Sequence, residues 1–177
     1  LSLTAGARWT SDKVVGIDQS AAMLKAAKKR TAAYKNVDLR PGSLEALPLA
    51  DQAVDATLVV LALSYLKDTR LALAEMSRVL KPGGRAVVVD LLRHDREQFR
   101  IEMGQTSRGF SRNELHDLLT ESGLRNVSCR PLAPEADAKG PALLLATAVT
   151  PAEAGDDAEL HLPSSSPIKT QSHKTSK

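Results

Sequence analysis

The chain has 177 residues, of which 42% are hydrophobic, 25% charged and only 3% aromatic, and its net charge is +3. This length suits one domain with a real core, built from Leu, Val, Ala and Ile because aromatic residues are scarce. The single cysteine, Cys129, excludes an internal disulfide framework and any multi-cysteine metal site, and no apolar run approaches the length of a membrane span. No signal peptide is read at the start, so a cytoplasmic location is the default expectation, with no membrane partner.

Residues 1–12 are hard to place. Leu1-Ser2-Leu3 fits a strand or the tail of a helix, and Gly6 with Thr10-Ser11-Asp12 reads as a connection. Residues 13–18 are the first clear strand, an apolar run that ends on Asp18. Ser20 is placed to cap a helix over about residues 21–34. Ala22, Met23, Ala26, Ala27 and Ala33 form a small-residue face for a sheet, with Lys25, Lys28, Lys29 and Arg30 opposite. That basic run reads as a solvated helix end that suits the dipole, not a nucleic-acid surface, because no stacking aromatics are interleaved. A short strand over 37–40 is stopped by Pro41-Gly42, and residues 43–49 form a loop or a single turn.

Residues 54–63 are a nearly unbroken apolar run, the pattern of a parallel strand covered on both faces. Asp68 or Thr69 caps a helix through Leu80, with Leu73, Met76 and Leu80 as its core stripe. Lys81-Pro82-Gly83-Gly84 is a tight structural turn into a second buried strand over 86–92. Residues 93–108 read as a long charged connection with a short helix, and His94 and Asp95 as part of a solvated loop. Ser111 and Glu114 form a capping box, Phe110 staples onto Leu115, Leu118 and Leu119 face inward, and Gly123 ends the helix. Strands over 124–130 and 142–149 close the fold as an antiparallel pair, with Cys129 as a buried, inert thiol. From Thr150 onward Pro, Ser, Asp, Lys and Gln dominate, so a disordered tail is expected. The expected division is 1–12 remnant or linker, 13–149 folded domain and 150–177 tail.

Strands alternating with helices predict a parallel α/β sheet. Such sheets bind ligands outside the carboxyl ends of their strands. Asp18 stands at such an end, placed to accept hydrogen bonds from two vicinal ribose hydroxyls. The simpler alternative is a carboxylate at a helix N-terminus.

Four stretches carry a family resemblance. They are Val14-Val15-Gly16-Ile17-Asp18-Gln19-Ser20 with Met23-Leu24, then Gly42-Ser43-Leu44-Glu45-Ala46-Leu47-Pro48-Leu49, then Arg78-Val79-Leu80-Lys81-Pro82-Gly83-Gly84-Arg85. The fourth is Val89-Asp90-Leu91 with His94, Asp95, Arg96, Met103-Gly104 and Gly109-Phe110-Ser111. Together they resemble a class I S-adenosylmethionine-dependent methyltransferase of the ubiquinone-biosynthesis type. The nearest resemblance is to the methyltransferase half of bacterial proteins that fuse an arsenic-repressor-like winged-helix regulator to such a domain. It covers roughly residues 13–149.

The resemblance implies a Rossmann-like, mostly parallel sheet with helices on both faces and an antiparallel last strand. It implies S-adenosylmethionine as cofactor and a small-molecule methyl acceptor. Asp18 would accept from the ribose, Gln19 and Met23 would lie against the adenosine, and Gly42 and Ser43 would approach the adenine with Leu44 packed on the ring. Many relatives carry an aspartate where Ser43 stands; a serine hydroxyl accepts more weakly. Leu61 to Ser64 would line the methionine and acceptor side, with Tyr65 at its mouth. Transfer from a sulfonium needs alignment more than a dedicated group, so no catalytic residue is named, and no metal. A winged helix would lie upstream, and this domain would not touch nucleic acid directly.

The family's first strand and glycine-rich turn have no counterpart in this sequence. That strand belongs between those at 13–18 and 54–63, and residues 1–12 offer only Gly6. A parallel crossover needs about a dozen residues or more, so an amino-terminally truncated domain with impaired cofactor binding is expected. The alternative function is a non-catalytic cofactor-sensing or regulatory module of a transcriptional regulator. A nicotinamide dehydrogenase shares the acidic strand end but fits the Pro-Gly-Gly and Gly-Ser-Leu-Glu stretches less well. Arsenite methylation would want several cysteines.

Overall fold

The computed structural model describes residues 13–133 and 140–152. Expectations for residues 1–12 and for the tail beyond Ala152 fall outside the described residues.

The chain opens with a small β-α-β unit. Strand β1 (Val14–Asp18) pairs in parallel with β2 (Val37–Pro41), from Val14 opposite Val37 to Asp18 opposite Pro41. Helix α1 (Ala21–Arg30) joins them, and the Ser20 hydroxyl caps it by accepting from the Met23 N–H at 3.3 Å. The helix stops four residues short of expectation. Both the N–H and the hydroxyl of Thr31 donate to the Ala27 carbonyl at 2.9 Å, and a turn takes over. No residue of α1 is buried. Its inner side is Leu24, Ala26 and Ala27, whereas Ala22, Met23 and Ala33 are exposed, against the small-residue face expected.

The rest of the chain builds a four-stranded sheet in the order β3-β4-β6-β5. Strands β3 (Val54–Val60) and β4 (Leu80–Leu91) are parallel. They are linked by a 3-10 turn (Leu63–Tyr65) and α2 (Thr69–Val79), where Asp68 provides the cap by accepting from the Arg70 N–H at 3.0 Å. After β4 come α3 (Glu97–Glu102) and α4 (Arg112–Glu121). The capping box at Ser111 and Glu114 is present in both directions, as the sequence predicts. Strand β6 (Leu143–Val149) lies between β4 and β5 (Arg125–Pro131), antiparallel to both.

Residues 81–84 are the structural turn expected of them. Leu80 pairs with Val54 and Arg85 with Ala56, so the four residues between are looped out of the ladder. Gly83 supplies a left-handed φ of 71°. Thr150 ties the loop down, its N–H donating to the Gly84 carbonyl at 3.0 Å and its hydroxyl to the Lys81 carbonyl at 2.5 Å.

Leu63, Leu73, Met76, Leu115, Leu119 and Leu144 anchor the buried core, in which α2 and α4 pack over the four-stranded sheet. Every residue of that cluster lies between positions 63 and 148. The β-α-β unit contributes none.

Strand β3 corrects an expectation. It is not covered on both faces. Val54 and Val59 pack on the core, but Leu58 is 51% exposed and Val60 40%. The strand alternates as a half-buried one does, because no element among the described residues covers its other side. Nor does any described strand lie between β1 and β3, so the two sheets share no ladder. No helix of the described residues is long and apolar enough to cross a membrane.

Candidate cofactor site

The carboxyl end of β1 and the loop after β2 meet through the backbone: the Gly42 N–H donates to the Asp18 carbonyl at 3.2 Å. Asp18 and Ser43 are therefore neighbours in space. The Asp18 side chain is half-buried, and its Oδ1 accepts from the Ser20 N–H at 2.7 Å. That contact fixes the carboxylate at the mouth of α1. Among the described residues Asp18 forms no ion pair with a cationic side chain. Gln19 is exposed and Met23 is 56% exposed, both just beyond the same strand end.

Gly42 is required by packing. A Cβ there would fall 2.7 Å from Pro48 Cδ and 3.0 Å from Ile17 Cγ2. The Ser43 hydroxyl accepts from the Glu45 N–H at 3.2 Å, closing a local turn. Leu44 is partly buried and packs against the core cluster.

Leu61 ends β3 with a left-handed φ of 51°, uncommon for a non-glycine residue. Its N–H donates to the Val89 carbonyl at 2.7 Å, and its side chain is 42% exposed. The turn that follows hangs on Asp90, which is wholly buried. Asp90 Oδ2 accepts from the N–H groups of Leu63 at 2.9 Å and Ser64 at 3.4 Å, and Oδ1 accepts from Leu91 N–H at 2.8 Å. Sequence reasoning assigned Asp90 no such role. Its signal was a carboxylate closing the apolar run Val87-Val88-Val89.

The segment after α3 closes over this turn. The Ser64 carbonyl accepts from the Thr106 N–H at 2.9 Å and the Ser107 N–H at 3.2 Å. Ser64 Oγ, Ser107 Oγ, Gln105 Oε1 and His94 Nε2 are buried without a hydrogen-bond partner. Buried orphans of this kind are rare and call for an explanation. His94 is half-buried within the exposed loop expected of it, with Arg93, Asp95 and Arg96 exposed around it. Its Nδ1 accepts from the Arg96 N–H at 3.2 Å, which in a neutral ring leaves the proton on Nε2. Burial first, then the charges of Arg96 and Arg108, holds its pKa below the usual histidine range. Asp95 is exposed, as expected.

Cys129 is half-buried and free, and burial pushes its thiol pKa up, as suits an unreactive thiol. No group of three metal-ligating side chains occurs among the described residues.

Comparison with known proteins now adds to this geometry. A family model described as a methyltransferase domain matches residues 2–88. The ubiquinone/menaquinone biosynthesis C-methyltransferase UbiE of Syntrophotalea carbinolica is 38% identical over 91 residues, 51% of this chain and 38% of that protein. These matches support a class I S-adenosylmethionine-dependent methyltransferase domain in this chain. It spans less than half the length of the curated relatives it first matches. Among solved structures, geranyl diphosphate C-methyltransferase from Streptomyces coelicolor, in complex with Mg2+, geranyl diphosphate and S-adenosyl-L-homocysteine, superposes with a TM-score of 0.71. The pair is 19% identical, with 84% of this chain and 66% of that one covered. The cyclase SpnF superposes at 0.69 with 21% identity, covering 84% and 69%. These likenesses establish the Rossmann-like methyltransferase fold; SpnF illustrates that such a fold does not fix the reaction. All seven candidate cofactor residues lie within the methyltransferase-family match, whereas His94, Gln105 and Ser107 lie beyond it.

Proposed function

We propose that this chain binds S-adenosylmethionine and directs its methyl group to a small-molecule acceptor. The observation that carries the reading is the Asp18 carboxylate, held by Ser20 at the end of β1 and adjoining the Gly42-Ser43 turn. The residues present fit the cofactor. Asp18 Oδ2 would accept from the ribose, the Ser43 O–H would face the adenine, and Gln19 and Met23 would flank the adenosine. Leu44 would contribute from the core side of the loop, and Leu61 from the end of β3. When bound, the cofactor supplies an electrophilic methyl on a sulfonium. The protein's part is alignment and exclusion of water. The acceptor would sit against the 61–65 turn, beside the unpartnered groups of Ser64 and Gln105. No side chain is assigned as a base.

Binding by residues 1–177 alone is proposed to be weak. The β1–β2 pair shares no ladder with β3 among the described residues, and a cofactor spanning both would meet a surface that is not preorganised. Isothermal titration with S-adenosylmethionine tests both statements. We expect heat of binding only in the millimolar range, abolished in Asp18→Ala. Micromolar binding would overturn the weak-binding proposal, and unchanged binding by Asp18→Ala would overturn the cofactor site.

A second reading, a regulatory module of a larger transcriptional regulator, draws on the fusion-type residues His94 to Ser111 and on the partial coverage of the relatives. Methyl transfer from labelled cofactor by the full-length protein separates the two: labelled product supports the enzyme, and cofactor binding without product supports the module.

A further inference from the structure

The 43–49 loop that follows β2 is held in large part from outside itself. One anchor comes from β2, where Arg40 donates to the Pro48 carbonyl at 3.1 Å. The others come from α2. Glu75 and Arg78 stand one turn apart on that helix and form a two-point pair. Arg78 Nε donates to Glu75 Oε1 at 2.6 Å, and Nη2 to Oε2 at 2.7 Å. The pair then takes both backbone groups of Leu47: Glu75 Oε2 accepts from its N–H at 2.7 Å, and Arg78 Nη2 donates to its carbonyl at 3.3 Å. Arg78 Nη1 reaches further, donating to the Leu49 carbonyl at 3.0 Å and to Asp51 Oδ1 at 2.6 Å.

Both side chains are shielded, 21% exposed for Glu75 and 30% for Arg78, so these are stronger contacts than a surface ion pair makes. Arg78, and then the Leu47 N–H, hold the Glu75 carboxyl below the usual range against the effect of burial. Helix α2 does not need the pair in order to pack. Its buried face is Ala72, Leu73, Met76 and Val79. The pair faces the loop, and the loop touches both halves of the molecule: Pro48 lies close to Gly42, whose N–H is bound to the Asp18 carbonyl of β1, and Leu44 packs against the core.

We infer that Glu75 and Arg78 are positioning residues for the cofactor, a clamp that fixes the 43–49 loop and so sets cofactor affinity without touching the cofactor. The inference rests on the proposed cofactor site. A lysine at position 78 cannot reproduce it, since one ammonium cannot meet a carboxylate in two places and two carbonyls together.

The test pairs ligand-observed NMR titration of S-adenosylmethionine with amide hydrogen exchange, on the 177-residue chain and its Glu75→Gln, Arg78→Lys and Arg78→Ala variants. We expect Arg78→Ala to weaken binding about tenfold or more, the loss of two or more charge-assisted bonds, with Arg78→Lys intermediate. The Leu47 amide should exchange faster while the amides of β4 and β6 keep their protection. Wild-type affinity in Arg78→Ala overturns the clamp and leaves the cofactor site standing. Loss of protection throughout β4 and β6 overturns it too, since the pair is then general scaffolding. No binding by the unmodified chain sinks the cofactor site, and the clamp with it.

Discussion

The two halves of this molecule are built on different terms. Among the described residues the sixteen buried apolar side chains all lie from residue 63 onward, in and around the four-stranded sheet with α2 and α4. The β1-α1-β2 unit has a parallel strand pair and a capped helix, yet its only buried positions are Gly16 and Thr31. Three of the seven candidate cofactor residues, Asp18, Gln19 and Met23, nevertheless sit on or beside that second unit's first strand and helix, and Gly42 to Leu44 follow it directly. The part that would hold a ligand is thus the part least held by the core, which is where low-stability elements tend to gather.

The sharpest way to break this comparison is a pair of truncations. Leu115→Ala, at a fully buried site, should cost about 2–5 kcal/mol in urea unfolding. Leu24→Ala on α1, half-buried, should cost about 1 kcal/mol or less. Equal losses would mean that the two halves share one cooperative core. A smaller effect comes from the cap of α4. Ser111→Ala removes half of the capping box and should cost about 1 kcal/mol, visible as a lower urea midpoint at unchanged slope. The corresponding change at Ser20 should lower that midpoint less, if α1 is outside the main cooperative unit.

The smallest effect is one of pH, at the junction of the halves. The Glu75 pKa is depressed in the folded protein from an ordinary value of 4.5, by Arg78 above all. A depressed carboxyl stabilises the fold above its unfolded pKa and loses that contribution as pH falls through its folded value. The stability gap between the wild type and Glu75→Gln should therefore be flat near neutrality and shrink as pH drops below about 4.5. A gap that widens in acid would show that the carboxylate is not held by Arg78 in solution.

What could be read beforehand was chemistry that acts over a few positions. Ser111 and Glu114 lie three residues apart, and their capping box forms. Residues 81–84 hold a proline and two glycines, and they leave the ladder. The antiparallel closing pair and the short helix after residue 93 were legible for the same reason, turn signals between apolar runs. Misreadings came where the deciding partner is distant. The apolar run at β3 looked two-sided, but hydropathy does not say which neighbours are present. His94 looked solvated, yet its ring lies edge-on to Phe99 at 5.8 Å between centroids. Asp90 holds N–H groups 26 and 27 positions earlier in the chain, and Glu75 holds one 28 positions earlier. No local pattern announces such pairs. At the site itself, the Gly42 N–H joins the loop after β2 to the Asp18 carbonyl, and Leu44 packs against the core; neither contact could be read from local pattern.

The placement of β6 between β4 and β5 has a consequence for synthesis. Its pairing with β4 joins Arg85 to Val149 and Leu91 to Leu143, contacts that close loops of fifty residues or more. Until residue 143 leaves the ribosome, the edges of β4 and β5 that β6 will pair stay bare, each a template for a foreign strand. Cells translating this protein should find its stalled products far more prone to aggregation and proteolysis than the finished chain.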